Sequence, residues 1–202
     1  QLTQKPWEPA QVKVDNLHEG KTFNLHVGKI GLRYIMVVST IMFCLFIVTY
    51  GDRMVYDDWV RMPEPFLLWI NTLLLVISSF VFIRIQLASK KNNFEKARRE
   101  LFFIGFLAVL FLIGQLLVWK DLVQAGYYVS GSPANGYFYV FTTLHGFHLL
   151  GGLVYWMMTI NKVWKLENIV IRKAKHTIEL CAIYWHFLLA VWIVLFGLML
   201  FS

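Results

Sequence analysis

The chain has 202 residues, of which 58% are hydrophobic and 15% are charged, and its formal net charge is +7. Polar surface is too scarce for a soluble domain of this size, so the composition excludes a soluble globular protein and predicts an integral membrane protein. Because the excess lysines and arginines lie at the ends of apolar segments, where they meet anionic lipid headgroups, the positive charge does not indicate a nucleic-acid partner.

Five segments are apolar enough to cross a bilayer as helices, each of which needs roughly 20 residues. They lie at about 31–50, 65–87, 100–119, 137–160 and 178–201. The predicted fold is therefore all-α, a polytopic bundle of five transmembrane helices formed by residues 31–202. Residues 1–30 are polar and contain prolines and glycines, which indicates an N-terminal arm outside the membrane.

The distribution of lysine and arginine predicts the orientation. The N-terminal region through Arg33, the loop after the second segment and the loop after the fourth each hold five of these residues. The other two loops together hold three. By the positive-inside rule, this alternation predicts a cytoplasmic N-terminal arm and a periplasmic C-terminus, and it supports an odd number of spans independently of hydropathy.

The first three segments carry few polar residues in their interiors: Ser39 and Thr40 in the first, Asn71, Thr72, Ser78 and Ser79 in the second, and Gln115 in the third. Such side chains fit hydrogen bonding between closely packed membrane helices. Arg84 lies near the inner end of the second segment, where it can extend its charge to the interface. Helix packing is therefore favoured over transport in these segments.

The fourth segment is different because it places His145 and His148 three residues apart, on one face of a helix. A histidine inside an apolar span needs a partner, which leaves haem ligation, a proton relay or a hydrogen-bonded packing network. Two haem irons do not fit one helical turn apart on one face, which argues against haem. A relay would need carboxylates in the same layer, and the sequence offers only Glu179, near the inner end of the fifth segment.

The fifth segment adds Glu179, Tyr184, Trp185 and His186. Glu179 precedes His186 by two helical turns on the same face, and at about 1.5 Å per residue His186 lies at a depth similar to that of His148. We therefore expect a polar seam that runs from the inner interface toward the bilayer centre. The seam is either a packing network or a contact for a lipid headgroup or other ligand, and the residues alone leave both open.

Two motifs on these consecutive segments resemble a known family. The run HGFHLLGG from His145, then Glu179, then YWHF from Tyr184 with AVW after it, is similar to the last two helices of subunit III of the haem-copper oxidases. GLRY from Gly31, the pair Asn71-Thr72 and Gln115 are also similar to positions in that family. The resemblance covers about residues 29–202.

The resemblance implies a non-catalytic subunit III of a proton-pumping terminal oxidase, in the five-helix form found in bacterial plasma membranes. In the family, this subunit binds no haem or copper, which partner subunits hold. It packs mainly on subunit I, within a complex that also contains subunit II and can include small subunits, and it binds structural phospholipids. Lys162 matches a basic residue that meets lipid phosphate. A larger respiratory assembly is compatible with this role.

Two positions depart from the family pattern. Phe43 stands where many members have a membrane-embedded glutamate, and Leu189 stands where an aspartate often follows YWHF. The first departure argues against a proton-translocating role for this chain. The alternatives are an accessory subunit associated with nitric oxide reductase, a small independent transporter, and a redox-carrying cytochrome. The electron donor, cytochrome c or a quinol, is decided in other subunits.

Overall fold

The structure, a computed structural model, describes residues 27–63, 65–164 and 171–201. These residues form five helices: α1 Val27–Arg53, α2 Phe66–Lys90, α3 Phe94–Gln124, α4 Pro133–Trp164 and α5 Ile171–Leu200. Each helix corresponds to one predicted segment and extends past it by a few residues on at least one side, although α2 begins and α5 ends one residue inside the predicted bounds. The prediction of an all-α fold is confirmed for the described part of the chain, which contains no β-strand.

The turns between the helices follow from local sequence. Asn92 adopts a positive φ of 60° in the short turn between α2 and α3, a conformation that asparagine tolerates better than most residues. The Asn93 side chain then accepts a hydrogen bond from the backbone N–H of Lys96 and caps α3. Pro133 opens α4, where the missing N–H of proline costs nothing. Tight connections of this kind keep neighbouring helices antiparallel.

Four helices form a closed ring in which α2 packs on α3, α3 on α4, α4 on α5, and α5 on α2. The fifth helix, α1, lies outside the ring, and among the described helices it contacts α4 and α5. Large side chains such as Phe82, Phe111 and Trp185 fill the centre of the ring and are almost completely buried. This arrangement places the polar residues of α4 and α5 at three different helix interfaces.

The exterior of the bundle is apolar. Phe80 and Phe106, for example, are each more than 60% exposed. Four helices, α1, α2, α3 and α5, are long and apolar enough to cross a membrane. The helix α4 has 32 residues, but histidines, threonines and tyrosines interrupt its apolar stretch, and it is not among the candidates found in the described residues.

The first helix begins at Val27, four residues before the predicted span. The predicted N-terminal arm, residues 1–30, therefore overlaps the first turn of α1, and residues 1–26 lie outside the described residues. The basic residues counted at Lys165, Arg172 and Lys173 also lie where side chains are not described.

Candidate functional site

Three of the side-chain hydrogen bonds among the described residues join α2 to α5. They are Trp192 to Thr72 at 2.9 Å, Trp185 to Ser78 at 2.8 Å, and His186 Nδ1 with Ser79 Oγ at 2.5 Å. Each tryptophan donates its indole N–H, and each accepting hydroxyl donates in turn to a carbonyl of its own helix. The predicted residues Trp185 and His186 thus hold two helices together, because an unmet polar group is costly in an apolar interior.

His148 joins α4 to α1. Its Nδ1 lies 2.7 Å from the carbonyl oxygen of Leu144, and its Nε2 lies 2.8 Å from Ser39 Oγ. A carbonyl can only accept, so Nδ1 carries the proton, and in the neutral ring Nε2 accepts from the Ser39 hydroxyl. The ring of Phe43 packs against the same imidazole, with 5.4 Å between the ring centroids.

Tyr184 ties α5 to α4 at the same level. Its hydroxyl donates to the backbone carbonyl of His148 at 3.0 Å. Its ring packs close to Gly152, where an added Cβ would lie 3.1 Å from the Tyr184 ring. The small residue after the HGFH run therefore allows α5 to approach α4 closely.

His145 is completely buried at the centre of the ring of helices. Its imidazole packs against Trp192, at 4.9 Å between centroids, and against Phe111, at 5.9 Å. Neither ring nitrogen has a hydrogen-bond partner among the described residues. Aromatic packing, rather than a polar contact, is thus what surrounds this histidine.

The expected continuous seam is not what the structure shows. His148 faces α1, His186 faces α2, and His145 faces α3 and α5. Residues three apart on a helix differ in direction by about 60°, which is enough to send His145 and His148 to different neighbours in a tightly packed bundle. The polar residues therefore form separate contacts at several interfaces.

Glu179 and Lys162 lie on the surface of the bundle. No hydrogen bond or ion pair joins Glu179 to His186 within the described residues. Glu179 instead lines a cleft between the end of α2 and the start of α5. Lys162 is exposed in the last turn of α4, at the same end of the bundle.

The sequence pattern pointed to Glu179 as the acidic residue inside a span, but Glu179 is exposed on α5 and a buried carboxylate lies on another helix. The buried carboxylate is Glu100, which is 8% exposed and lies 2.8 Å from Arg84 Nη2. The ion pair links α3 to α2, so Arg84 does more than extend to the interface. The sequence contained a signal for this ion pair, because an acidic residue inside one helix and an arginine on the preceding helix can pair across a short turn.

Asn71 and Gln115 meet across the α2–α3 interface. Their side-chain amides are 3.4 Å apart, and both residues are buried. A Cβ at Gly114 would overlap the Asn71 side chain, so the glycine makes room for it. Sequence reasoning assigned these residues to helix packing, which agrees with this position.

The two departures from the family pattern have different surroundings. Phe43 is 3% exposed and fills the space beside His148. Leu189 is partly buried and packs against the main core. Within the described ranges, no group of histidine, cysteine or acidic side chains is arranged to hold a metal ion.

Apolar outer surfaces and side-chain hydrogen bonds between helices define the class, an integral membrane helical bundle. The family model of cytochrome c oxidase subunit III matches residues 59–201. The chain therefore belongs to the cytochrome c oxidase subunit III family.

Individual relatives agree with this assignment. The chain is 30% identical to cytochrome c oxidase subunit 3 of Thermostichus vulcanus, over 93% of this chain and 92% of that protein. It is 32% identical to a probable cytochrome c oxidase subunit 3 of Nocardia farcinica, over 62% of this chain and 61% of the relative. It is also 24% identical to cytochrome bo(3) ubiquinol oxidase subunit 3 of Buchnera aphidicola, over 83% and 88%.

These matches confirm the resemblance seen in the motifs. The chain is an accessory subunit III of a haem-copper oxidase and works within a complex of other oxidase subunits. Its relatives include both cytochrome c oxidases and a ubiquinol oxidase, so family membership does not decide the electron donor.

Proposed function

We propose that this subunit spans the bacterial plasma membrane five times, with its N-terminal arm in the cytoplasm and its C-terminus in the periplasm. It packs on the catalytic subunit I, beside subunit II, and stabilises an oxygen-reducing, proton-translocating complex whose haem and copper are held by the partner subunits. Residues 1–30 serve as a contact within the complex or a larger respiratory assembly. Structural phospholipids complete the interface.

The observation that carries this proposal is that interior polar side chains form hydrogen bonds between the helices of this chain. Ser79, His148, Trp185 and Trp192 all bond across helix interfaces within the chain. Side chains that form such hydrogen bonds hold the helices together as a rigid scaffold. The site residues His145, His148, Tyr184, Trp185 and His186 are therefore proposed to shape the bundle, and Lys162 and Glu179 to meet lipid headgroups at its inner end.

The replacement of the family glutamate by Phe43 supports a role without proton transfer in this chain. A phenylalanine ring cannot carry a proton, and it fills the place beside His148. Exchanging Phe43 for leucine is expected to leave the ratio of protons pumped to electrons consumed unchanged in the assembled oxidase. A changed ratio, measured in reconstituted vesicles at unchanged subunit content, would contradict this part of the proposal.

The proposal as a whole is tested by isolating the tagged chain in mild detergent and recording the optical spectrum and the masses of what accompanies it. We expect a haem-copper subunit I with oxygen-reducing activity. Isolation with the subunits of a nitric oxide reductase would favour that accessory role instead. Recovery of the chain alone, with no haem and no large partner, would favour an independent transporter.

A second measurement tests the stabilising role. Oxidase prepared without this chain is expected to begin turnover at a normal rate and then lose activity faster than the complete complex. If the complex without the chain shows no initial oxygen reduction, the chain takes part in catalysis. If it keeps its activity as long as the complete complex, the chain has no stabilising role.

A further inference from the structure

A polar cleft lies where α2 ends and α5 begins, and it measures about 450 Å³. Its lining includes the side chains of Gln86, Ser89 and Lys90 from α2, and of Lys175 and Glu179 from α5. Isoleucines of α5 form the rest of the wall. A cleft with charged groups at its mouth and apolar groups below matches the two parts of a phospholipid.

The register of the two helices explains why these charges meet. The hydrogen-bonded pairs Thr72–Trp192 and Ser78–Trp185 show that α2 and α5 run antiparallel, because the partner's residue number falls along α5 as the number rises along α2. Ten further residues along α2, or about 15 Å, the same register brings Ser89 and Lys90 level with Lys175. The two lysines thus lie at one level, at the end of a bundle whose helices exceed the roughly 30 Å of a hydrocarbon core.

The charged groups of this cleft are not paired with one another. Lys175 and Glu179 are four residues apart on α5, yet no ion pair within the described residues involves either of them or Lys90. Facing the same cleft, Ser89 is 3% exposed, and its hydroxyl has no hydrogen-bond partner among the described residues. A buried hydroxyl without a partner is costly, and a ligand oxygen in the cleft would remove that cost.

An apolar path leads away from the charged mouth. Ile83 lies one turn before Gln86 on the same face of α2 and is 44% exposed, while Ile183 lines the cleft from α5. The path ends near the Ser79–His186 hydrogen bond. An acyl chain would follow this surface while its headgroup stayed at the level of the lysines.

We propose that the α2–α5 cleft is a phospholipid headgroup site that takes a phosphodiester headgroup carrying a hydrogen-bond donor, such as ethanolamine or glycerol. Lys90, Lys175 and the Ser89 hydroxyl bind the phosphate oxygens, and Glu179 accepts a hydrogen bond from the headgroup ammonium or hydroxyl. The inference deepens the lipid-binding part of the proposed function by naming the site and the lipid class. The position differs from Lys162, the residue that the family resemblance selected.

The test uses the intact oxidase complex containing this chain, stripped of lipid and titrated with defined phospholipids by native mass spectrometry. The double variant Lys90→Gln/Lys175→Gln is compared with Lys91→Gln/Lys96→Gln, which removes the same charge from exposed positions that do not line the cleft. We expect the first variant to bind phosphatidylglycerol and phosphatidylethanolamine about tenfold more weakly, and the control to change less than twofold. Equal affinities in the two variants would overturn the proposal.

The headgroup preference is tested separately. Phosphatidylcholine has no donor in its headgroup, so it should bind more weakly than the other two lipids, and Glu179→Gln should reduce that difference. Equal binding of all three lipids to the unchanged complex would overturn the assigned role of Glu179. Complete displacement of lipid by millimolar inorganic phosphate would show a free-phosphate site instead of a lipid site.

A photoreactive amino acid in place of Ile183 identifies what fills the cleft in the membrane. We expect cross-linked lipid, and a cross-link to another oxidase subunit would overturn the proposal. Subunit composition and oxygen uptake are recorded in the same preparations. Failure of the proposed function would appear there as loss of the chain from the complex, whereas failure of this inference would leave the complex intact with unchanged lipid affinity.

Discussion

At the residue scale, tryptophan side chains stabilise the interior of the bundle by packing and by hydrogen bonds between helices. In addition to Trp185 and Trp192, Trp119 donates to Thr142 at 3.1 Å and Trp156 donates to the carbonyl of Leu101 at 2.9 Å. A tryptophan supplies a large apolar surface together with one directional donor. In a membrane protein the hydrophobic effect does not drive helices together, so this combination of packing and hydrogen bonding stabilises their contacts.

The first residue-scale prediction concerns Gly105. It lies on α3 directly against Trp156, and an added Cβ would overlap the indole ring. The substitution Gly105→Ala should displace the ring, weaken its bond to Leu101 and destabilise the bundle by about 1–3 kcal/mol, as overpacking does elsewhere. The apparent melting temperature of the detergent-solubilised complex measures the effect.

The matched control is Gly197→Ala on α5, where an added Cβ would meet none of the described residues within 4 Å. It should leave the melting temperature unchanged or raise it slightly, since alanine favours the helix. Equal effects of the two substitutions would contradict the packing argument.

The second prediction concerns the Arg84–Glu100 pair. Removing the arginine leaves a nearly buried carboxylate without its partner, so Arg84→Met should destabilise the bundle more when Glu100 is present than in a Glu100→Gln background. We expect a coupling free energy of about 1 kcal/mol, because the Arg84 side chain is 63% exposed and water screens the pair. A double-mutant cycle on the stability of the complex measures it, and additive effects would show that the pair contributes nothing.

At the scale of elements, α1 is the helix with the fewest constraints. Of the described helices it contacts α4 and α5, and residues such as Val38 and Leu45 on its outer side are 64% exposed. The hydrogen bond between Ser39 and His148 is therefore important for its position. This is consistent with a helix that completes its packing against lipid or another subunit.

The prediction at this scale is that Ser39→Ala and His148→Leu both loosen α1 and lower the stability of the complex. The loss of one hydrogen bond to a partly buried group corresponds to about 1 kcal/mol. Oxygen uptake per haem in the assembled complex should stay unchanged for both variants. Thr40→Ala is the control, because Thr40 is exposed and bonds only to the Met36 carbonyl of its own helix. Abolished turnover in a fully assembled His148→Leu complex would contradict a non-catalytic role.

The extent of the sequence prediction follows from how membrane helices differ from soluble ones. The helices α1, α2, α3 and α5 were predictable because a span must be long and continuously apolar, and α4 was predicted from a run that is apolar around its histidines. Which face of each helix is buried was not predictable, since an outward-facing residue such as Phe80 is as apolar as a buried one such as Phe43, and no polar stripe marks the outside. For the same reason, the partners of His148 and His186 could not be read from spacing. They depend on the ring order of the helices, which is set by long-range packing.

At the scale of the whole molecule, the distribution of charge can be tested together with the fold. The turn between α2 and α3 and the exposed Lys162 at the end of α4 lie at one end of the bundle, and the α1–α2 and α3–α4 connections lie at the other. The positive-inside rule assigns the first end to the cytoplasm. The proposed headgroup site would then face the inner leaflet, whose anionic lipids attract basic side chains.

Thiol labelling tests this orientation in a chain whose two native cysteines, Cys44 and Cys181, are replaced by serine. A cysteine in place of the exposed Asp57, in the α1–α2 connection, should react with a membrane-impermeant maleimide in cells with a permeable outer barrier and an intact plasma membrane. A cysteine in place of the exposed Glu95, at the start of α3, should react only after the plasma membrane is opened. Because neither substitution removes a lysine or arginine, the charge pattern that sets the topology is preserved. The reverse labelling pattern would place the α2–α5 cleft in the outer leaflet and show that loop charge does not determine the orientation of this chain.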